Sequence, residues 1–252
     1  MPPETLSLAI TCGSLVVATI SQRVVGMGFG IIMAPIVAIV ADPFAAVLVV
    51  NLYAVLACVL MVPRVWRHID WGRLVSLVVP AALASILGLL VARASDADVL
   101  RIAVGATAIL GVFVSVAFAR TTHTIDGPVT RAMAGSVIGL TNSAVALGAP
   151  AVGVYSIVSR WSGPSFSATM QPFWVVLSLV TLGERQILSP GGAPDWPWWG
   201  WLGAAVATVI GSVAAEPVAR VVSPRLARLG VIVLSLTSGI AVTVVGLQGL
   251  LA

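Results

Sequence analysis

The sequence predicts an all-α, polytopic membrane protein. Three observations carry this. The chain of 252 residues is 59% hydrophobic and 9% charged, where a soluble domain carries about 25% charged residues. Its mean hydropathy is +1.10. Apolar segments at roughly 43–62, 72–92, 98–119, 164–183, 197–218 and 229–250 are each long enough to cross hydrocarbon about 30 Å thick. Finally, the arginines sort to alternate connections, as repeated crossings of a bilayer require.

Two further regions, 5–41 and 131–159, are too long for one helix and carry small or polar residues in their middles. Each reads as a pair of shorter helices, broken at 24–30 and at 141–149. If each pair begins and ends on one side, Arg64, Arg67, Arg73, Arg120, Arg131, Arg160, Arg220, Arg225 and Arg228 share a side. Arg93, Arg101 and Arg185 share the other with Glu4, Asp42, Asp96, Asp98, Glu184 and Asp195. The arginine-rich side is then cytoplasmic and both termini are external. The opening MPPETLSLAI lacks a basic stretch and does not read as a cleaved signal peptide. The expected location is a bacterial-type inner membrane, with lipid as the solvent and a homo-oligomer allowed.

Other function classes find little support. The net charge is +4 with 13 basic residues, all arginine, but these form no basic arm, so no nucleic-acid partner is expected. Cys12 and Cys58 stand alone in apolar segments, and the histidines His68 and His123 fall in connections. No metal or other cofactor is expected. The chain has no Walker GxxxxGK[ST], no HExxH and no GxSxG, so neither ATP hydrolysis nor intramembrane catalysis is expected.

The halves 1–125 and 126–252 share an order: a broken pair, then three long segments. Pro35 and Pro150 each close a small-residue stretch, GMGFGIIMAP and TNSAVALGAP. Asn51 and Tyr53 have counterparts in Gln171 and Phe173, and Trp71-Gly72 echoes Trp199-Gly200. The first half begins outside and the second inside, so the two read as inverted repeats within one transmembrane domain, an architecture common among secondary transporters.

GMGFGIIMAP, followed by a small-residue-rich helix, resembles the glycine-rich N-terminal signature of the TauE/SafE sulfite-exporter family. GAPAVGVYSIVSRW followed by FSATM resembles its repeated signature, and the likeness spans roughly 8–250. The chain departs from the family pattern at Phe29, commonly a small residue, and at Gly148-Ala149-Pro150, often GGP. The resemblance implies export of sulfite or of a small organosulfonate such as sulfoacetate. Some relatives resemble uptake systems, so an uptake permease stays open, as does an assembly factor without transport.

The residues themselves suggest a site. Arg23 lies in an apolar run beside Gln22, with no acidic residue in its own segment. An always-protonated guanidinium at membrane depth needs an anion, carbonyls or water, and its fork suits an oxyanion. A boundary position, or a pair with Asp42, is the alternative. Gly26, Gly28 and Gly30 precede a new helix, whose free amides would favour an anion; close helix packing is their plainer role. Thr141, Asn142 and Ser143 are expected at the opposite helix start, as caps, ligand contacts or both. Asn51, Tyr53, Gln171 and Trp174 complete the candidates, each also readable as bracing or packing. Glu216, beside Pro217, reads as one half of a boundary ion pair.

Overall fold

A computed structural model describes residues 3–25, 28–118, 124–161, 163–221 and 224–251. Among the described residues the secondary structure is helical throughout: α1 (Pro3–Val25), α2 (Phe29–Val40), α3 (Pro43–Val59), α4 (Val62–Val65), α5 (Trp71–Ala94), α6 (Ala97–Phe118), α7 (Pro128–Val145), α8 (Ala149–Val158), α9 (Pro164–Leu188), α10 (Trp198–Val221) and α11 (Pro224–Leu251). A short 3-10 turn follows α4 at Trp66–His68. Six helices are long and apolar enough to span a membrane, and α3 with the bent segment after it makes a seventh candidate. Large apolar side chains such as Leu83, Leu87, Val213 and Ile240 point outward, a surface that suits lipid and not water.

The breaks fall where the sequence places them, and both pairs are hairpins. The start of α1 and the end of α2 line one cavity through Ser7, Leu8, Val40 and Ala41. At the opposite end, Ile125 N–H donates to Val158 O at 2.9 Å, so α7 and α8 begin and end together. One expectation needs correction. α1 is not a short half-helix: its apolar stretch Thr5–Val24 has spanning length, because nothing in it breaks a helix before Gly26. Pro35 lies inside α2, which runs on to Val40. Pro150 instead sits in the first turn of α8, where a missing N–H costs nothing. The two prolines are therefore not equivalent.

Glycines set how the helices pack. A Cβ at Gly211 would meet Thr19 at 2.8 Å, and one at Gly200 would meet Leu8 at 3.0 Å. These contacts run α1 parallel to α10. Gly135 faces Leu77 O and Gly139 faces Ala81 O, which runs α5 parallel to α7. Gly105 faces Gly239 O while Gly246 faces Asp98 O, so α6 and α11 are antiparallel. Small residues let backbones approach this closely, as membrane helices need.

The charges divide between the two ends of the bundle. Arg93 donates to Leu188 O, Arg101 to Ala38 O and Asp98, and Arg185 to Phe44 O at one end. At the other, Asp126 joins Arg73, Arg131 and Tyr155 with contacts of 2.8, 2.8 and 3.1 Å. This cluster ties the connection between the halves to α5, α7 and α8. The hydrogen bond from Arg131 is the chief cause holding the Asp126 carboxyl down at about 2.

Candidate functional site

The two helix breaks meet. Gly28 precedes α2 with φ 135°, a conformation closed to most side chains. Ala146, past the end of α7, is left-handed at φ 59°. A Cβ on Gly30 would stand 2.6 Å from Ala146 O, so only glycine lets the start of α2 lie against the second break. Around this contact is a buried cavity lined by Gln22, Gly30, Asn51, Cys58, Asn142, Gly148, Trp174 and Ser178, among others. Its volume is about 20 Å³, room for roughly one water.

Its polar groups come from α1, α3, α7 and α9. Gln22 Oε1 accepts from Phe29 N–H at 3.3 Å, so the side chain before the first break caps the helix after it. The amides of Gly30 and Ile31 then have no carbonyl acceptor within their own helix. Asn142 Nδ2 donates to Asn51 Oδ1 at 2.9 Å and lies 3.5 Å from Thr181 Oγ1, joining the halves across the cavity. Asn51 Nδ2 is satisfied by Val47 O at 2.8 Å. Trp174 Nε1 and Ser178 Oγ are buried without a hydrogen-bond partner. Buried polar atoms are rarely left so, and these two line the cavity. No carboxylate lines it among the described residues. The result is a formally neutral chamber rich in donors.

The other sequence candidates lie elsewhere. Arg23 does not line the cavity; its guanidinium pairs with Glu216 of α10 at 3.1 Å, with side-chain exposures of 30% and 47%. The charge that needed an anion finds one in another helix, 193 residues away in sequence. Gly26 lies outside the described residues. Thr141, Asn142 and Ser143 are not at a helix start but in the last turns of α7. The Thr141 and Ser143 hydroxyls donate to Val137 O and Gly139 O, which keeps them inside a continuing helix. Ser143 also reaches Ser85 O at 2.6 Å. Of the three, only Asn142 lines the cavity. Tyr53 Oη donates to Trp201 O at 2.9 Å, tying α3 to α10. Gln171 is buried beside the site; its Nε2 donates to Ser167 O and its Oε1 is unpartnered.

Sequence reasoning missed Ser178, Thr181 and Arg185. The available signal was helical spacing: Ser178 and Arg185 follow Gln171 at two and four turns along one face of α9.

No curated protein and no solved structure matches the chain. A family model described as Sulfite exporter TauE/SafE matches residues 11–242, a stretch that holds both helix breaks and every described residue lining the cavity. The protein therefore belongs to the TauE/SafE sulfite exporter family of membrane transporters.

Proposed function

We propose that the protein exports a small sulfur oxyanion, sulfite or an organosulfonate such as sulfoacetate, from the cytoplasm across the inner membrane. The binding place in this reading is the cavity where the breaks meet. Gln22, Asn51, Asn142 and Trp174 contact the anion, with the first turn of α2 after Gly28 and Gly30. The observation that carries this is the donor-rich lining: Trp174 Nε1 and Ser178 Oγ lack acceptors, and a helix N-terminus with its partial positive charge opens beside them.

The chamber of about 20 Å³ is smaller than such an anion, so loading requires the two breaks to part. Inverted halves, 1–125 and 126–252, would supply that motion. Helix pairing supports the inversion: exchanging the halves maps α1 against α10 onto α7 against α5, and α2 against α11 onto α8 against α6. With the Asp126 end cytoplasmic, both termini are external. An inside-negative potential then favours export by about 2.3 kcal/mol per charge per 100 mV.

The test is thermal stability and vesicle flux of the purified protein with sulfite, sulfoacetate, taurine, thiosulfate and sulfate. Stabilisation and outward flux with one sulfur oxyanion support the reading. Inward flux alone makes the protein an uptake permease, and no response to any of them leaves an assembly factor.

A further inference from the structure

We propose that one face of α9, running from Gln171 through Trp174, Ser178 and Thr181 to Arg185, is the track along which the anion travels between the central cavity and the outer mouth, with Arg185 the cation that receives it there. This rests on the proposed function above, since the track starts at that cavity.

The spacing is the first support. Steps of three and four residues place the five side chains within an arc of about 80° at about 100° per residue, over roughly 21 Å of helix. All five are buried, at 2%, 7%, 1%, 1% and 2% exposure in chain order. Polar and ionisable side chains within membrane helices face the bundle interior, where they bond across helices or mark substrate and ion pathways; this face carries amide, indole, hydroxyl and guanidinium groups.

Unmet hydrogen bonding is the second. Gln171 Oε1, Trp174 Nε1, Ser178 Oγ and Arg185 Nε are buried with no partner. The only other such atom among the described residues is Glu184 Oε2, next to Arg185. Thr181 links the series to the cavity through Asn142. Three unpartnered groups on one face are donors, the chemistry an oxyanion needs at successive stops.

Arg185 is the third. It is 2% exposed and has no carboxylate within ion-pair distance among the described residues. Its guanidinium donates to Phe44 O at 2.8 Å and Gly192 O at 3.1 Å, and lies 3.7 Å over the Phe44 ring. Asp42, the nearby acid, is occupied in accepting from Phe44 N–H and Ala45 N–H at the start of α3. A buried cation held only by carbonyl dipoles and a ring is costly, and an arriving anion completes it. Two cavities reach its neighbours Phe44 and Gly192, and Arg185 itself lines neither. Cavities of about 310 and 400 Å³ meet at Asp42, one lined by Phe44, Arg93 and Ser189, the other by Gly192, Asp195 and Trp196. The strap over Arg185 depends on Gly191 and Gly192, at φ 96° and 67°, and a Cβ on Gly192 would meet the guanidinium at 2.7 Å.

The test compares Arg185→Gln and Arg185→Lys with the wild type in sulfite-loaded proteoliposomes, alongside thermal stabilisation by sulfite in detergent. The expected result is flux down at least about tenfold in Arg185→Gln, stabilisation within about twofold of wild type, and flux largely rescued in Arg185→Lys. Wild-type flux in Arg185→Gln overturns the track and leaves the cavity reading standing. A wild type that neither sulfite, nor sulfoacetate used in its place, stabilises or crosses removes the cavity reading and the track with it. If Arg185→Gln does not fold, cysteines decide the matter. Ser178→Cys and Thr181→Cys should react with a water-soluble anionic methanethiosulfonate above the background set by Cys12 and Cys58. Lipid-facing Val176→Cys should not. No excess labelling at Ser178→Cys and Thr181→Cys, or equal labelling at Val176→Cys, overturns the track.

Discussion

Replacing Gly30 with alanine sets a methyl carbon 2.6 Å from the Ala146 carbonyl oxygen, about 0.8 Å inside the 3.4 Å at which ordinary contact begins. The obstacle is backbone on both sides, so no side chain can turn away. Either the start of α2 or the left-handed turn at Ala146 must retreat. Overpacking of this kind costs about 1–3 kcal/mol, and the retreat carries the Gly30 amide away from the cavity. Loss of about 1.4 kcal/mol in anion binding is about tenfold in affinity. The assay is thermal unfolding in detergent with and without sulfite, paired with vesicle flux. Gly13→Ala is the control: its added Cβ meets nothing within 4 Å, and alanine in a helix should stabilise by roughly 0.5–1 kcal/mol. Gly30→Ala with unchanged stability and flux would refute the contact between the two breaks.

Three further outcomes follow from the geometry. Arg23→Gln and Glu216→Gln should each lower stability by only about 0.2–1 kcal/mol, since the pair is partly exposed, and the exchanged pair Arg23→Glu with Glu216→Arg should recover it. Loss of sulfite flux in Arg23→Gln but not in Glu216→Gln would instead make Arg23 the cation that meets the anion. Asp126 has a depressed carboxyl, near 2 against an ordinary 3.8. It therefore stabilises the fold fully above the ordinary value and loses that contribution as pH falls from there through about 2; an Asp126→Asn protein should show a flatter acid limb in a stability-versus-pH titration. Tyr53→Phe should cost about 0.5–1.5 kcal/mol through the lost bond to Trp201 O, with flux within about twofold of wild type; a collapse of flux would place the Tyr53 hydroxyl on the anion.

Much of the architecture was legible because membrane helices announce themselves by length and apolarity, and glycine marks where backbones bend. The breaks at Gly28 and Ala146 fall inside the expected windows, 24–30 and 141–149, and Arg93, Arg101 and Arg185 gather at one end as their spacing required. The partners of charges were not legible. Nothing near Arg23 in sequence points to Glu216, since parallel packing of α1 on α10 is a tertiary fact. The partners of Arg185 were hidden for a related reason. At a helix end it counts as a boundary residue, and only the fold lays Phe44 and the 189–197 connection over it. The TNS motif suggested a helix start by its composition, but Thr and Ser can also satisfy their hydroxyls on their own helix. Asn142 alone of the three lines the cavity, a choice set by packing of α7 against α3 and α9.

The central claim is that a sulfur oxyanion passes through the chamber where the two breaks meet. Exchange of radiolabelled sulfite across proteoliposomes containing Asn142→Leu tests it most directly. Leucine is close to asparagine in size but removes the donor facing Asn51 and Thr181. The account predicts a folded protein, destabilised by about 1–3 kcal/mol for the unmet Asn51 oxygen, in which sulfite exchange and sulfite-dependent stabilisation are both lost. Exchange at the wild-type rate would contradict it.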